Sequence, residues 1–305
     1  VALEAHHSKC YHLGMGKNVS KSSLARANQD RDYHIFEEYA YYLVSEARQK
    51  CANHIFKLGG NVYAFDSTTI DLCLSVFWWA KFRKKKGGIK VHTLYDVETQ
   101  IPAFFHITEA SVHDSKVMIE IPYEPSSYYI FDRGYNNFKI LYKIHQIEAY
   151  FVVRAKKNLG YKSIQWKRRL PKNVLSDASV FLTGFYPKQY YPEPLRLVKY
   201  WDEEQEREFT FITNAMHISA LQVAELYKNR WQVELFFKWL KQHLKIKRFW
   251  GTTENAVRIQ IYAAICAYCL VAIIQHDMQL NRSTYEVLQI LSISLTDKTH
   301  LRDLF

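Results

Sequence analysis

The sequence predicts a mixed α/β fold, a sheet flanked by helices and interrupted by a β-rich insertion just before a helix that carries Glu234. Three observations predict it. Short runs rich in β-branched and aromatic residues at 62–66, 89–95, 102–107, 128–132 and 150–153 read as strands. Helical patterns at 114–121 and 138–147 alternate with the later strands, which makes a hairpin meander first and α/β units afterwards. The helical signal then disappears from about residue 156 to 214 and returns at Ser219.

Taken in order, residues 1–57 have helical character, with a polar break at 20–23 and apolar residues at helical spacing over 32–50, as in a linker and entry helix. The first part of the core is expected over 58–155 and the β-rich insertion over 156–214. Within the insertion, 180–185, 195–200 and 208–213 are strand-like, the last two flanking the turn-rich 202–206. Residues 215–305 are expected to complete the core with helices: one from Ser219, a plausible N-cap, to about His243, and another over about 255–275 after the break at Gly251.

With 305 residues, 48% hydrophobic and 15% aromatic, the chain is globular and not a disordered or low-complexity polymer. Lys and Arg number 41 against 30 Asp and Glu, a net charge of +11, so a polyanion is attracted and nucleic acid is the leading partner class. Five cysteines are too few and too scattered to staple such a chain, which points to a reducing compartment. Cys266 and Cys269 match a redox or zinc half-site by spacing, but they lie in the apolar run 259–274 with no second pair and read as core thiols. That run is shorter than the roughly 20 residues a bilayer span needs, so a core helix and no membrane association are expected. The chain begins Val1-Ala-Leu-Glu, with neither Met, basic leader nor apolar signal segment, and is expected to start mid-protein.

The segment 227–245 is the most informative. On a continuous helix Tyr227, Arg230, Glu234, Lys238, Lys241 and Lys245 fall within an arc of roughly 80°, and a second polar face carries Glu225, Lys228, Gln232 and His243. A surface helix has one wet face. One face is therefore assigned to solvent and the other to a cleft in which cations flank a carboxylate. An ion pair between Glu234 and Lys238, or Arg230 one turn earlier, is the simpler reading of Glu234, but it leaves the second polar face unexplained.

Two apolar runs end alike: 62–65 leads into Asp66, and 128–131 leads into Asp132. Each alone reads as a turn, because Asp caps its own backbone and Gly134 follows Asp132 closely. As a pair on adjacent strands about 4.8 Å apart, they place two carboxylates at one sheet edge, where repulsion calls for a divalent cation between them. Glu234 then supplies a third hard oxygen ligand, a set suited to Mg²⁺ and to in-line phosphoryl displacement.

These residues, with Tyr227, Arg230, Glu234 and Lys241 at the spacing Y-x2-R-x3-E-x6-K and the contexts Phe65-Asp-Ser-Thr68 and Phe131-Asp-Arg-Gly-Tyr135, resemble the DDE transposases of bacterial insertion sequences, in the Y-R-E-K branch or insertion-sequence-four family. The resemblance covers roughly residues 58 to 290. It implies a ribonuclease-H-like core, Mg²⁺ dependence with Mn²⁺ as substitute, and cut-and-paste movement of DNA in the cytoplasm, on the nucleoid. It makes Asp66, Asp132 and Glu234 the metal ligands and sets Tyr227, Arg230 and Lys241 on DNA near the cut. Double-stranded DNA at terminal inverted repeats, target DNA and a homodimer in a synaptic complex are the implied partners. Such transposases usually carry a further N-terminal region, which is expected to be missing here. A truncated DNA-binding or dimerising inhibitor and a structure-selective nuclease are the alternatives.

Chemistry supports these roles independently. Arg230 and Lys241 lie one turn before and two turns after Glu234, where they can neutralise flanking phosphates. Tyr227 either stacks on or bonds beside a displaced base, or is a core aromatic with its hydroxyl at the rim. The densest basic run, Lys81, Arg83, Lys84, Lys85 and Lys86, is expected to track a DNA backbone, as are Lys238 and Lys245 on the helix, with Lys156-Lys157 and 167–169 extending the track. Trp166 and Trp201 are stacking candidates for which core or hairpin packing is the simpler reading. His92 and His113-Asp114 are read as packing and capping groups.

Overall fold

The computed structural model describes residues 11, 14, 19–52, 56–83, 86–244, 249–294 and 299–305. The chain divides into two compact units, one formed by residues 1–52, 70–89 and 238–305, the other by residues 53–69 and 90–237.

The second unit holds most of a twisted mixed sheet. Strand β1 (Val62–Leu72) lies between β3 (Lys86–Asp96) and β5 (Tyr128–Phe131), and β4 (Ile101–Glu109) pairs with β3. Beyond β5 come β6 (Tyr150–Arg154), β10 (Arg207–Thr213), β9 (Leu195–Asp202), β8 (Val174–Leu182) and, at the edge, β7 (Tyr161–Trp166). β1, β5 and β6 are mutually parallel, and the four strands of the insertion are antiparallel. All four residues of β5 are buried, as a central parallel strand covered on both faces requires. Helix α4 (Phe138–Gln146) buries Ile140, Leu141 and Ile144 in the same core as Phe65, Tyr129, Phe131, Phe151 and Val153. Gly60 admits the chain to β1, because a Cβ there would lie 2.0 Å from the Ser126 carbonyl oxygen.

In the first unit, α1 (Lys21–Asp30) starts at Ser20, whose Oγ accepts from Ser23 N at 3.0 Å, and α2 (His34–Lys50) buries Ala40, Leu43, Val44 and Ala47. The apolar run near the C-terminus forms α8 (Glu254–Asp277), followed by α9 (Thr284–Ser294). Tyr262 of α8 donates to Glu37 of α2. The segment 70–89 joins this unit through Trp79, whose Nε1 donates to Thr252 O at 2.8 Å, and through Phe77 against Phe249. β2 (Lys81–Arg83) pairs with the start of β3, Lys81 opposite Gly87 and Arg83 opposite Lys86.

Several expectations need correction. α8 has 24 residues, long and apolar enough to cross a membrane by length and composition, so the argument from a short run fails. Its burial, including Ile261, Ile265, Cys266, Cys269 and Val271, is what makes it a core helix. Burial also pushes the Cys266 and Cys269 thiols up, to about 11 and about 12, as inert core thiols require. β1 does not stop at Asp66 but runs on to Leu72. β8 starts six residues and ends three residues earlier than expected, β7 was not foreseen, and the insertion contains a six-residue helix, α5 (Phe185–Tyr190). The helix expected over 219–243 is two, α6 (Ala220–Asn229) and α7 (Trp231–His243).

Candidate active site

The parallel register of β1 and β5 sets Phe65 opposite Phe131 and ends there. Asp66 and Asp132 follow those two residues. β5 stops while β1 continues, so Asp132 becomes the N-cap of the tight turn Arg133–Tyr135 and Asp66 lies at the step in the sheet edge. The expectation that two adjacent strands present two carboxylates at one edge is met, although only β5 ends there.

Helix α6 begins with a capping box: Gln222 N donates to Ser219 Oγ at 3.1 Å and Ser219 N to Gln222 Oε1 at 2.8 Å. It buries Leu226 and Tyr227. The chain then tightens at Arg230, whose N–H bonds to Tyr227 O at 3.1 Å, three residues back, before α7 begins. Angular bookkeeping on one continuous helix therefore holds only within each half. The tertiary contacts nevertheless bring the predicted residues together.

Arg230 reaches Asp66 Oδ2 with one terminal nitrogen at 2.7 Å and Glu234 Oε1 with the other at 2.5 Å. Tyr227 donates from its hydroxyl to Asp132 Oδ1 at 2.9 Å. The i to i+4 pair weighed for Glu234 exists, but the same guanidinium also holds Asp66. On the other oxygen of Asp66, Ser67 N donates at 2.8 Å and the Tyr135 hydroxyl at 3.4 Å.

Burial pushes the Asp66 carboxyl up to about 6; Arg230 and Ser67 N pull it down, and the negative charges of Glu234 and Asp132 add to the rise. Three carboxylates thus share one electrostatic neighbourhood. Burial and the adjacent Asp132 push the Tyr227 hydroxyl up to about 12, so it stays a donor. The Tyr227 ring packs on Phe209 and Phe211, which is the core aromatic with a rim hydroxyl, not a ring open for stacking.

The donor set suits a hard divalent cation, since all three groups offer carboxylate oxygens. As they stand, no three His, Cys, Asp or Glu side chains among the described residues converge closely enough to hold a metal. The reason is visible: the Arg230 guanidinium lies between Asp66 and Glu234 and neutralises them. A bound cation would take over that neutralisation once the guanidinium turned aside.

Lys238 is exposed and Lys241 half-buried, both in the first unit, while Lys84, Lys85 and Lys245 lie outside the described residues. Arg83 and Lys86 are register partners of the backbone where β2 pairs with β3. Trp166 on edge strand β7 is 61% exposed and Trp201 on β9 is 39% exposed, so neither lies in the core, and their places in the antiparallel pairs β7–β8 and β9–β10 leave the hairpin alternative. His92 is buried, paired to Thr108 Oγ1 at 3.0 Å, and burial pushes it down to about 4, which makes it a neutral packing group. His113 is the expected cap, its Nδ1 accepting from Ser115 N at 3.3 Å.

Sequence reasoning did not find Ser67, Tyr135, Lys90 or the role of Asp114. Ser67 Oγ donates to Asp114 Oδ1 at 2.8 Å, and Lys90 Nζ lies 3.0 Å from the same oxygen. The only local signal was Asp114 next to the cap His113.

A family model described as the transposase DDE domain matches residues 57–270. A protein of Sinorhizobium fredii named as a transposase, y4zB, is 37% identical over 288 residues, covering 92% of this chain and 78% of its own. A Geobacillus stearothermophilus protein named as a transposase for insertion sequence element IS5377 is 27% identical, covering 82% of this chain and 66% of its own. A Synechocystis protein named as a transposase for insertion sequence element IS4SA is 25% identical, with 93% and 80% covered. The mixed sheet flanked by helices is consistent with a ribonuclease-H-like core, and with a family model spanning most of the chain and a close relative sharing most of its length, the chain belongs to the DDE transposase family.

Proposed function

We propose that this chain is the Mg²⁺-dependent transposase of an insertion sequence of the Y-R-E-K branch, with Asp66, Asp132 and Glu234 as its metal ligands. The observation that carries the reading is one guanidinium, Arg230, joined to both Asp66 and Glu234, while Asp66 and Asp132 each follow the last paired residue of the β1–β5 register. Arg230 draws together carboxylates from a strand and a helix, 66 and 234 in the chain, and Asp132 on the neighbouring strand acts on Asp66 electrostatically.

Asp66, Asp132 and Glu234 would hold divalent ions, which would supply activation of the attacking oxygen and stabilisation of the leaving one. The chain's own groups do the rest. Asp66 is aimed by Ser67 N, Tyr135 and Arg230, and Asp132 by Tyr227. Arg230, released from the carboxylates, neutralises a phosphate beside the scissile one, and Lys238, Lys241, Lys245 and the run Arg83 to Lys86 hold the DNA backbone. Water attacks the phosphorus at the element end and the P–O3′ bond breaks, leaving a 3′-hydroxyl. That hydroxyl then attacks a target phosphodiester, forming the new P–O bond and breaking the target P–O3′ bond. Two element ends are joined in a synaptic homodimer in the cytoplasm, on the nucleoid.

The test is a labelled element-end duplex incubated with the protein in Mg²⁺, Mn²⁺ or EDTA, with a supercoiled target. Wild-type protein cuts and transfers the strand with either metal and does neither in EDTA, and Asp132→Asn does neither in any buffer. Binding without cutting would identify an inhibitor, and cutting without transfer a nuclease. Metal-dependent cutting that survives Asp132→Asn would overturn the reading.

A further inference from the structure

Asp114 is the first residue of α3 (Asp114–Val117), where an acidic side chain ordinarily serves the helix N-terminus. Here His113 does the capping, and the Asp114 carboxylate turns to β1. Its Oδ1 accepts from Ser67 Oγ at 2.8 Å and lies 3.0 Å from Lys90 Nζ. Lys90, only 13% exposed, also donates to Val112 O at 2.8 Å, which ties the loop before α3 to β3. Burial pulls the Asp114 carboxyl up, but the Ser67 hydroxyl and Lys90 outweigh it and hold it below the usual range, so it is ionised. Ser67 meanwhile donates its N–H to Asp66 Oδ1 at 2.8 Å. Ser67 is therefore gripped by two carboxylates, Asp66 on its main chain and Asp114 on its side chain.

We propose that Asp114 is a positioning residue for the reaction: through Ser67, and anchored by Lys90, it fixes the rotamer of Asp66 without touching metal or DNA. Losing Asp114 frees Ser67 Oγ to seek another acceptor, and the Asp66 carboxylate, which already accepts from Ser67 N, is one it can turn to. A hydroxyl bonded there would compete for an oxygen that the reaction uses. The proposal rests on the catalytic reading of Asp66.

The test compares Asp114→Ala, Asp114→Asn, Ser67→Ala and their Ala–Ala double variant in the full chain, by rate of end cleavage at saturating DNA, by DNA affinity and by Mn²⁺ binding followed by electron paramagnetic resonance. Removing the outer partner of a metal ligand typically costs 10- to 100-fold. Asp114→Ala is expected to lower the cleavage rate by about that factor, with DNA affinity and Mn²⁺ stoichiometry unchanged. Ser67→Ala is expected to do the same, and the double variant to be no worse than the worse single one, because both break one linkage. Asp114→Asn keeps an oxygen for Ser67 and recovers most of the rate. Losses that multiply in the double variant, a fully active Asp114→Ala, or loss of a bound Mn²⁺ in Asp114→Ala alone would overturn the proposal, the last by making Asp114 a ligand. Unfolding of both Asp114 variants would also overturn it, in favour of a purely structural role. A wild-type chain that cuts no DNA sinks the catalytic reading and this proposal with it, whereas normal wild-type cutting with multiplying losses sinks only this one.

Discussion

Asp66 should destabilise the metal-free protein, and removing its charge should make the fold stronger while ending its chemistry. Its carboxyl titrates at 3.8 in the unfolded chain and at about 6 in the fold, because burial disfavours the charged form and Glu234 and Asp132 repel it. Below pH 3.8 it is protonated in both states and costs nothing. Between 3.8 and about 6 the unfolded chain has lost the proton and the fold retains it, so stability falls as pH rises. Above about 6 the whole penalty is present, and at roughly 1.4 kcal/mol per pH unit the gap amounts to about 3 kcal/mol. The side chain is 21% exposed, and solvent screening reduces the expected gain of Asp66→Asn to about 1–2 kcal/mol. That corresponds to a rise of about 1.5–3 °C in the unfolding midpoint of a chain of 305 residues. The assay is thermal unfolding of wild type and Asp66→Asn in EDTA from pH 4 to 8. The two midpoints should meet near pH 4 and separate up to about pH 7, and Mg²⁺ should narrow the difference by stabilising wild type alone. An Asp66→Asn protein no more stable than wild type at pH 7.5, or a difference that ignores pH, would refute the reasoning.

Three further perturbations follow from the geometry. Tyr227→Phe removes the donor to Asp132 and leaves the ring packing intact, so cleavage should fall by about 10- to 100-fold while the thermal midpoint moves little. Arg196 is buried, bidentate to Asp177 at 2.7 and 2.8 Å and bonded to the Ile218 carbonyl; Arg196→Met leaves buried Asp177 with Lys167, 3.1 Å away, as its remaining cation and should cost about 3 kcal/mol in chemical denaturation. Gly60→Ala brings a Cβ to 2.0 Å from the Ser126 carbonyl and should cost about 1–3 kcal/mol, read the same way.

Much of this was legible in the chain because the physics was local. The runs at 62–65 and 128–131 are apolar without alternation because both faces of β1 and β5 are covered there, and such runs are recognisable in isolation. The spacing of Tyr227, Arg230 and Glu234 survived even though the helix breaks at Arg230, because a single tightened turn between two helical halves leaves a 3.6-residue pattern nearly in phase. The break itself was invisible, as no Gly or Pro marks it. α5 was missed because Pro187 and its aromatic residues mask its period, and its last turn is secured by packing beyond its own sequence, where Tyr191 meets His145 of α4. The length of β1 was missed because its second half, past Asp66, is supported by β3 and not by β5. Asp114 was misread for the same kind of reason: its partners are 47 and 24 residues away, and nothing adjacent announces them.

The central claim is that Asp66, Asp132 and Glu234 grip divalent ions in exchange for Arg230. The most direct measurement is the anomalous signal of Mn²⁺ in crystals of the protein grown with an element-end duplex. The account predicts density for Mn²⁺ bound by all three carboxylates, with the Arg230 guanidinium turned away from Asp66 and Glu234. A protein competent to cut that duplex whose Mn²⁺ sits elsewhere, with Arg230 still bridging the two acids, would contradict it.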